Sequence, residues 1–292
     1  MEQAESRPVK PVEELVREAV GGSREALEEV IRAIQDRVFG LALRMLFHPA
    51  DAEDAAQEIL IKVITHLDSF RHEGPFRAWV YRIAVNHLKT VRKSSYERWE
   101  LTMDKAQEIM DKAQAKGWFA KPKEAPSQLL ELEMRSACTQ ALLVTMDRDH
   151  RIAFILGVVM GVSSREGGYI MGVSPATFRK RLSRSRQRLK DFLVINCDLF
   201  DESNPCRCTK ILTGYINKGW INPDKPVFMI GEEADEDPRI LRDFMKELDD
   251  LGKVSALFRA FPEKCAPTDY STMVKALVDE GRFQVFSELG DK

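Results

Sequence analysis

Residues 163–193 have the sequence SSREGGYIMGVSPATFRKRLSRSRQRLKDFL, which predicts two helices separated by a tight turn. Ser163 with Glu166 three residues later is typical of a helix N-terminus, because each side chain can accept from a free backbone N–H group. Gly172 suits the left-handed residue that ends a helix. Ser174 is a good N-cap for the second helix. The spacing therefore predicts a helix-turn-helix unit.

The second predicted helix is amphipathic and strongly basic. Pro175 suits its first turn, where no backbone N–H group needs an acceptor. One stripe of the helix is apolar and carries Phe178, Leu182, Leu189 and Leu193. Residues 163–190 contain eight Lys or Arg residues and one acid, a charge density that suits a phosphate backbone. Because such a helix enters the major groove, we predict DNA contact rather than a basic face that is merely solvated.

The composition is that of a globular protein with more than one domain. The 292 residues are 44% hydrophobic and 31% charged, with a formal net charge of −2, and this length allows two or three domains. No apolar run approaches the roughly 18 residues of a membrane span, and residues 1–11 lack the apolar core of a signal peptide. We therefore expect a cytoplasmic protein without membrane contact. Strand patterns are almost absent before residue 195, which predicts an all-α fold.

An acidic amphipathic helix is predicted to begin after His48-Pro49. Residues 51–68 contain five acids and one lysine, and several of the acids lie in the first turn, where the helix dipole favours them. Two interpretations of this acidic face stay open: it binds another protein, or it is only solvated.

A third helical stretch, residues 76–93, mixes aromatic and cationic side chains. Residues 71–98 contain seven Lys or Arg residues and two Glu residues, and stacking surfaces beside cations are what unpaired bases need. The helical spacing of Phe76, Trp79 and Ile83 favours a core role for most of them. Near the end of this helix Asn86 and His87 are better candidates for contact with nucleic acid.

Five segments are predicted along the chain: a flexible N-terminus (1–20), a helical domain (21–98), a linker (99–126), a second helical domain (127–194) and a mainly helical, acidic C-terminal extension (195–292). Helices are predicted at 128–146, 238–251, 253–260 and 268–280. Ser127 is predicted to cap the first of these, and Asp149 to cap a short helix that reaches Met160 beneath the helix-turn-helix. The residues from 197 onward contain nineteen acids and thirteen basic residues, including the acidic run 232–237.

Four of the five cysteines lie in the last third of the chain. An odd number of cysteines argues against a secreted disulfide framework. Cys197, Cys206 and Cys208 lie close together in sequence, but a structural zinc site needs four nitrogen or sulfur ligands, and the extension has no histidine. Completing the site would require Cys265 or a ligand from elsewhere. Ordinary thiols, a site for zinc or another metal, and a redox-responsive pair all stay open. The remaining cysteine, Cys138, is predicted to be a small buried apolar residue.

Several motifs together resemble those of one protein family. REALEE at 24–29, QDRVF at 35–39, DAEDAAQE at 51–58 and FRAWVYRIAVN at 76–86 closely resemble region 2 of the extracytoplasmic-function sigma factors of bacterial RNA polymerase. Residues 128–193 resemble region 4 of the same family. The resemblance covers about two thirds of the chain in the family's order and spacing, which makes it more specific than one helix-turn-helix would be.

The resemblance implies a non-catalytic subunit that binds core RNA polymerase, through its β′ clamp helices and β flap, together with promoter DNA. The implied polymerase-binding residues are Asp51, Asp54, Gln57 and Glu58. The implied contacts to the −10 element are Trp79, Arg82, Asn86, His87 and Lys89, and those to the −35 element are Pro175, Thr177, Arg179, Lys180, Arg181 and Arg184. The linker would run through the polymerase toward the RNA exit path. An anti-sigma factor is a further implied partner.

Two features depart from the family's pattern. Gly167-Gly168 interrupts the first helix of the helix-turn-helix, where each interior glycine costs about 0.5–1 kcal/mol relative to alanine. That helix is therefore weak or unusually closely packed. The C-terminal extension is absent from minimal members, and we expect it to tune activity.

Enzymes are disfavoured because the chain offers no nucleotide-binding glycine loop, metal-hydrolase histidine pair or nucleophile elbow. Two rival functions stay open: a helix-turn-helix regulator that acts without polymerase, and an adaptor that mimics a sigma factor without opening promoters.

Overall fold

The computed structural model describes residues 10–93, 97–117, 127–219, 221–226, 228, 238–260 and 266–279. Within these ranges the fold is all-α, as predicted, and the only β-type pairing is an isolated bridge between Cys197 and Cys206. The helices are α1 (Val12–Val20), α2 (Arg24–Leu46), α3 (Pro49–Thr65), α4 (Phe76–Thr90), α5 (Met103–Ala115), α6 (Gln128–Val144), α7 (Arg148–Phe154), α8 (Ser164–Met171), α9 (Pro175–Asn196), α10 (Cys208–Asn217), α11 (Pro238–Lys246), α12 (Asp250–Arg259) and α13 (Tyr270–Asp279).

The first domain is a bundle in which α2 is packed by α1, α3 and α4. The hydroxyl of Ser23 caps α2 by accepting from the Ala26 amide at 3.2 Å. Phe47 ends the helix in the left-handed conformation with φ of 63°. The prediction of a flexible segment over residues 1–20 is wrong for residues 12–20, because α1 is a helix that buries Leu15, Val16 and Ala19 against α2. Residues 1–9 lie outside the described ranges.

The second domain contains the predicted helix-turn-helix, formed by α8 and α9. Ser163 accepts from the Glu166 amide at 3.2 Å, Gly172 is left-handed with φ of 66°, and Ser174 accepts from the Thr177 amide at 3.1 Å. All three local predictions are confirmed. The short helix beneath the unit, however, is capped by Asp147 rather than by Asp149. A π-helical turn, Ile155–Val159, follows it.

The two glycines of α8 lie where that helix crosses α9 closely. A Cβ atom on Gly167 would lie 2.4 Å from the Phe178 ring, and one on Gly168 would lie 2.8 Å from the carbonyl oxygen of Val173. Of the two explanations for this glycine pair, close packing is therefore correct, since any side chain would push α8 away from the turn and α9.

We expect Gly168→Ala to destabilise the second domain by about 1–3 kcal/mol, the range for overpacking a tight contact. Its neighbour is backbone, which cannot rotate away as a side chain could. Urea denaturation followed by circular dichroism measures the change. Gly74→Ala is the matched control, because nothing lies within 4 Å of a Cβ atom there. Equal unfolding midpoints for the two variants would contradict this account of the glycine pair.

Helices also occupy the segments between and after the two domains. The linker contains α5, which packs on α9, while residues 118–126 lie outside the described ranges. The helix α10 was not predicted. The other helices of the extension are confirmed: α11 and α13 are shorter than predicted, and α12 begins three residues earlier. The extension packs on both domains: α10 contacts α6, α12 contacts α9, and α13 contacts α2. The acidic run 232–237 lies outside the described ranges.

Candidate nucleic-acid interface

One candidate DNA-binding face lies on α4 and opens into a cleft of about 910 Å³. Arg82 and Asn86 are exposed on it, and Trp79 is half-buried. The Trp79 ring stacks on Phe76 with centroids 5.7 Å apart. Trp79 thus forms part of the aromatic core and part of the cleft wall. The face combines an apolar surface for stacking with a guanidinium and an amide, which can bond bases or phosphates.

The second candidate face is the N-terminal part of α9. Pro175, Arg179, Lys180 and Arg184 are exposed there, as DNA contact requires. Two predicted contact residues are already engaged within the protein. The Thr177 hydroxyl lies 2.9 Å from the Ser174 hydroxyl. The guanidinium of Arg181 forms an ion pair with the carboxylate of Asp149 at 2.8 Å.

His87 is the clearest correction among the predicted DNA-binding residues. It is only 6% exposed and lies on the face of α4 that packs on α3. Its Nδ1 atom is 2.7 Å from Lys62 Nζ and 3.8 Å from a carboxylate oxygen of Glu58. Burial, followed by the Lys62 charge, lowers the pKa of His87, and Glu58 partly opposes this change. The residue packs inside the bundle rather than facing the cleft.

The acidic face of α3 remains accessible. Asp54, Gln57 and Glu58 are exposed, and Asp51 is partly exposed with a carboxylate oxygen 3.5 Å from His48 Nδ1. These four predicted polymerase-binding residues therefore lie on one surface that another protein can reach.

The helix-turn-helix packs directly over the α4 face. The guanidinium of Arg82 lies 4.8 Å from the centre of the Tyr169 ring, and Arg77 Nε lies 3.4 Å from Glu166 Oε1. Lys89 Nζ donates to the Met171 carbonyl at 3.2 Å. Tyr169, which the sequence pattern did not single out, thus covers a predicted base-reading group. In this closed arrangement Arg82 and Asn86 stay exposed in the cleft beside Tyr169.

A buried ion cluster, the Glu97 latch, joins the two domains and consists of Glu97, Arg148 and Arg151. The carboxylate of Glu97 accepts from Arg148 at 2.7 and 3.0 Å and from Arg151 at 3.0 Å. Arg148 also donates to the carbonyl groups of Leu88, Lys89 and Val91 at the end of α4. The latch therefore fastens the second domain to a helix end of the first.

Arg151 is the most buried member of the latch, with only 3% of its side chain exposed. It donates to carbonyl groups at the ends of α2 and α6, those of Met45, Leu143, Val144 and Met146. The last carbonyls of a helix have no partner within the helix and carry a partial negative charge. One guanidinium thus neutralises two helix ends as well as Glu97. No local sequence pattern could reveal this role, because its acceptors lie on separate segments.

The cysteines form an apolar pocket rather than a ligand set. Among the described residues, no three His, Cys, Asp or Glu side chains are arranged to hold a metal ion. Cys138, Cys197, Cys206 and Cys208 line a pocket of about 100 Å³. Burial raises the pKa of Cys138 to about 12 and that of Cys208 to about 11, which disfavours the thiolate that binds metals or reacts with oxidants. In the metal-free protein, therefore, Cys197, Cys206 and Cys208 are neutral thiols within an apolar pocket; the metal site there stays a prediction, and Cys265, its possible fourth ligand, lies outside the described residues.

Comparisons with known proteins find relatives among bacterial sigma factors. The family model "Sigma-70 region 2" matches residues 30–96. The ECF RNA polymerase sigma factor SigE of Mycolicibacterium smegmatis is 32% identical over 168 residues, which cover 57% of this chain and 61% of that protein. SigW of Bacillus subtilis, also an ECF RNA polymerase sigma factor, is 26% identical over 183 residues, covering 61% and 95% of the two chains. The chain thus contains a match to region 2 and is similar to extracytoplasmic-function sigma factors.

The part of this chain that aligns with SigW, 61% of its length, accounts for nearly all of that relative, so the rest of the chain has no counterpart in SigW. The solved structure of CnrH in complex with the cytosolic domain of CnrY aligns over 61% of this chain and 94% of that chain, with 20% identity and a TM-score of 0.44. None of the described helices is both long enough and apolar enough to span a bilayer.

Proposed function

We propose that this chain is a sigma factor that binds core RNA polymerase and directs promoter recognition, DNA melting and transcription initiation. The observation that carries the proposal is the presence of three separate surfaces on one chain: the acidic face of α3, the aromatic and cationic face of α4, and the basic N-terminal part of α9. Residues 21–98 would act as region 2, residues 127–194 as region 4, and residues 99–126 as the linker between them. We place the activity in the cytoplasm, beside the polymerase.

Each surface suits one step of initiation. The exposed carboxylates of α3 complement a basic surface on the polymerase, and this complementarity would speed association. The cleft beside Trp79 offers a stacking surface for an unpaired base, with Arg82 and Asn86 to hold it. The exposed cations of α9 would contact the duplex upstream, at base edges and phosphates. No step requires a catalytic group of this chain.

Run-off transcription with purified core polymerase, on promoters found by genome-wide mapping of bound sites, tests the proposal. We expect Asn86→Ala to reduce promoter opening on the order of tenfold, because a lost base contact costs about 1–3 kcal/mol. Gln114→Ala removes an exposed amide from α5 and is the matched control. If the wild-type chain binds DNA but neither associates with core polymerase nor supports a transcript, the proposal is wrong and a polymerase-independent regulator is favoured.

A further inference from the structure

The cleft beside Trp79 has walls from both domains. The first domain contributes α4 and the segment before it, and the second contributes α8 with its N-cap. The second wall consists of Ser163, Arg165, Glu166 and Tyr169, none of which is among the predicted DNA contacts. The volume of about 910 Å³ lies within the range of small-molecule sites, roughly 300–1,000 Å³. The packed chain therefore has a composite cleft that neither domain forms alone.

Two arginines line this cleft from opposite domains. Arg71 lies in the segment before α4, Arg165 lies in the first turn of α8, and both are exposed. Among the described residues neither guanidinium has an ion-pair partner. A guanidinium offers a planar fork of N–H donors that fits phosphate oxygens. Two such groups on separate segments suit a ligand with more than one phosphate.

The charge balance of the cleft also favours an anion. Its lining contains three arginines, of which the third is Arg82, and two glutamates, Glu73 and Glu166. The carboxylate of Glu166 is already compensated, because Arg77 Nε lies 3.4 Å from its Oε1 atom. The cleft thus keeps a net positive charge after its own acids are counted.

Flat surfaces and an amide lie beside these cations. Trp79 is half-buried in the cleft wall, and the Arg82 guanidinium lies 4.8 Å from the centre of the Tyr169 ring. Bases stack both on aromatic side chains and on guanidinium planes. The Asn86 amide is exposed in the same cleft, and an amide can donate to and accept from a base edge. The ligand that fits this set carries an aromatic base as well as phosphates.

We propose that the chain, when it is free of polymerase and promoter, binds a nucleoside diphosphate or triphosphate in this composite cleft. The base stacks on the α4 wall, where Asn86 bonds its edge, and the phosphates bridge Arg71 and Arg165. The site goes beyond the proposed function, because its second wall belongs to α8 and its ligand is a free nucleotide. Since the ligand contacts both domains, it stabilises their packed arrangement and raises the unfolding temperature of the chain.

Isothermal titration calorimetry of the full chain with ADP, ATP, GDP and GTP tests the proposal. We expect saturable binding of at least one of these nucleotides, which weakens as salt is raised. Arg71→Gln and Arg165→Gln, one from each domain, should each weaken that binding by about ten- to a hundredfold, since each loses hydrogen bonds to a charged group. Tyr169→Leu should weaken it by about three- to tenfold. Arg17→Gln, the same change at an exposed arginine of α1, should leave the affinity within about twofold of wild type.

Two further probes separate a nucleotide site from other anion sites. Inorganic pyrophosphate, which has no base, should bind at least about tenfold more weakly than the nucleotide, because it gains no stacking. Pyrophosphate that binds as tightly as the nucleotide would overturn the proposal, as would binding of a single-stranded oligothymidylate but of no free nucleotide.

The variants decide whether both walls contribute. Arg165→Lys keeps the charge but not the fork, so it should lose less affinity than Arg165→Gln. The replaced side chains are exposed, and urea denaturation checks that each variant is folded. Equal nucleotide affinity in folded Arg165→Gln and Arg17→Gln would overturn the composite site, even if Arg71→Gln bound weakly. A wild-type chain that binds none of the four nucleotides would overturn it as well.

Discussion

Replacing Arg151 by methionine is expected to lower the free energy of unfolding by about 3–5 kcal/mol, the range for removing one partner from a buried ion pair. Methionine fills a similar volume but leaves the Glu97 carboxylate, which is mostly buried, with fewer donors. It also leaves carbonyl groups at the ends of α2 and α6 without the guanidinium that bonds them. Since the latch joins the two domains, part of the loss should appear as their separation.

Urea denaturation measures the change in stability, and small-angle scattering measures the separation of the domains. Arg188→Met is the matched control: the same substitution on α9, at a side chain that is half-exposed and 4.0 Å from Asp147. Such exposed pairs contribute about 0–1 kcal/mol. Should Arg151→Met and Arg188→Met unfold at the same urea concentration, the latch would have no stabilising role.

The second large effect is expected at the acidic face of α3. Reversing two charges in Asp54→Lys with Glu58→Lys should weaken binding to core polymerase by about ten- to a hundredfold, because like charges across an interface repel and association slows. The loss should shrink as salt is raised, since exposed charges are screened over roughly 8–10 Å at physiological ionic strength. Both side chains are exposed, but Glu58 also lies 3.8 Å from the buried His87, so circular dichroism checks that the variant is folded.

Equilibrium binding to purified core polymerase at two salt concentrations measures the effect. The control is a double variant, Asp68→Lys with Asp111→Lys. Both positions are exposed and lie outside α3, and the change in net charge is the same. A double variant of α3 that binds as tightly as this control would show that α3 is not the docking surface. That result would leave the closed arrangement of the two domains untouched.

The parts of the fold that were predicted correctly depend on neighbours within a few residues. The caps at Ser163, Gly172 and Ser174 depend on hydrogen bonds or backbone conformations that lie within one helical turn. The apolar stripe of α9 is likewise a local periodicity, and it is buried at Phe178, Leu189 and Leu193. Helix caps and apolar stripes can be predicted from a sequence because the residues that form them occur within the same short window.

The errors arise where a distant segment decides the environment. His87 has the polarity of a contact residue, but the packing of α4 on α3 buries it beside Lys62. Among the alternatives left open for the cysteines, only packing could favour one: the folded chain places the four described thiols in an apolar pocket where the thiol form is favoured. The helix α1 has a strong apolar face, but its order depends on α2 being there to cover it.

The sequence by itself determined that the chain is helical, that α8 and α9 form a capped unit with a basic second helix, and which family its motifs resemble. Only the tertiary structure decided that the two DNA-binding domains are closed on each other, and which residues hold them. The physical reason is distance along the chain. Arg151 donates to Met45, which lies more than a hundred residues away in the sequence, and Tyr270 donates to Gln35, which lies more than two hundred residues away. No local pattern encodes those pairs, because they form only when separate helices have packed.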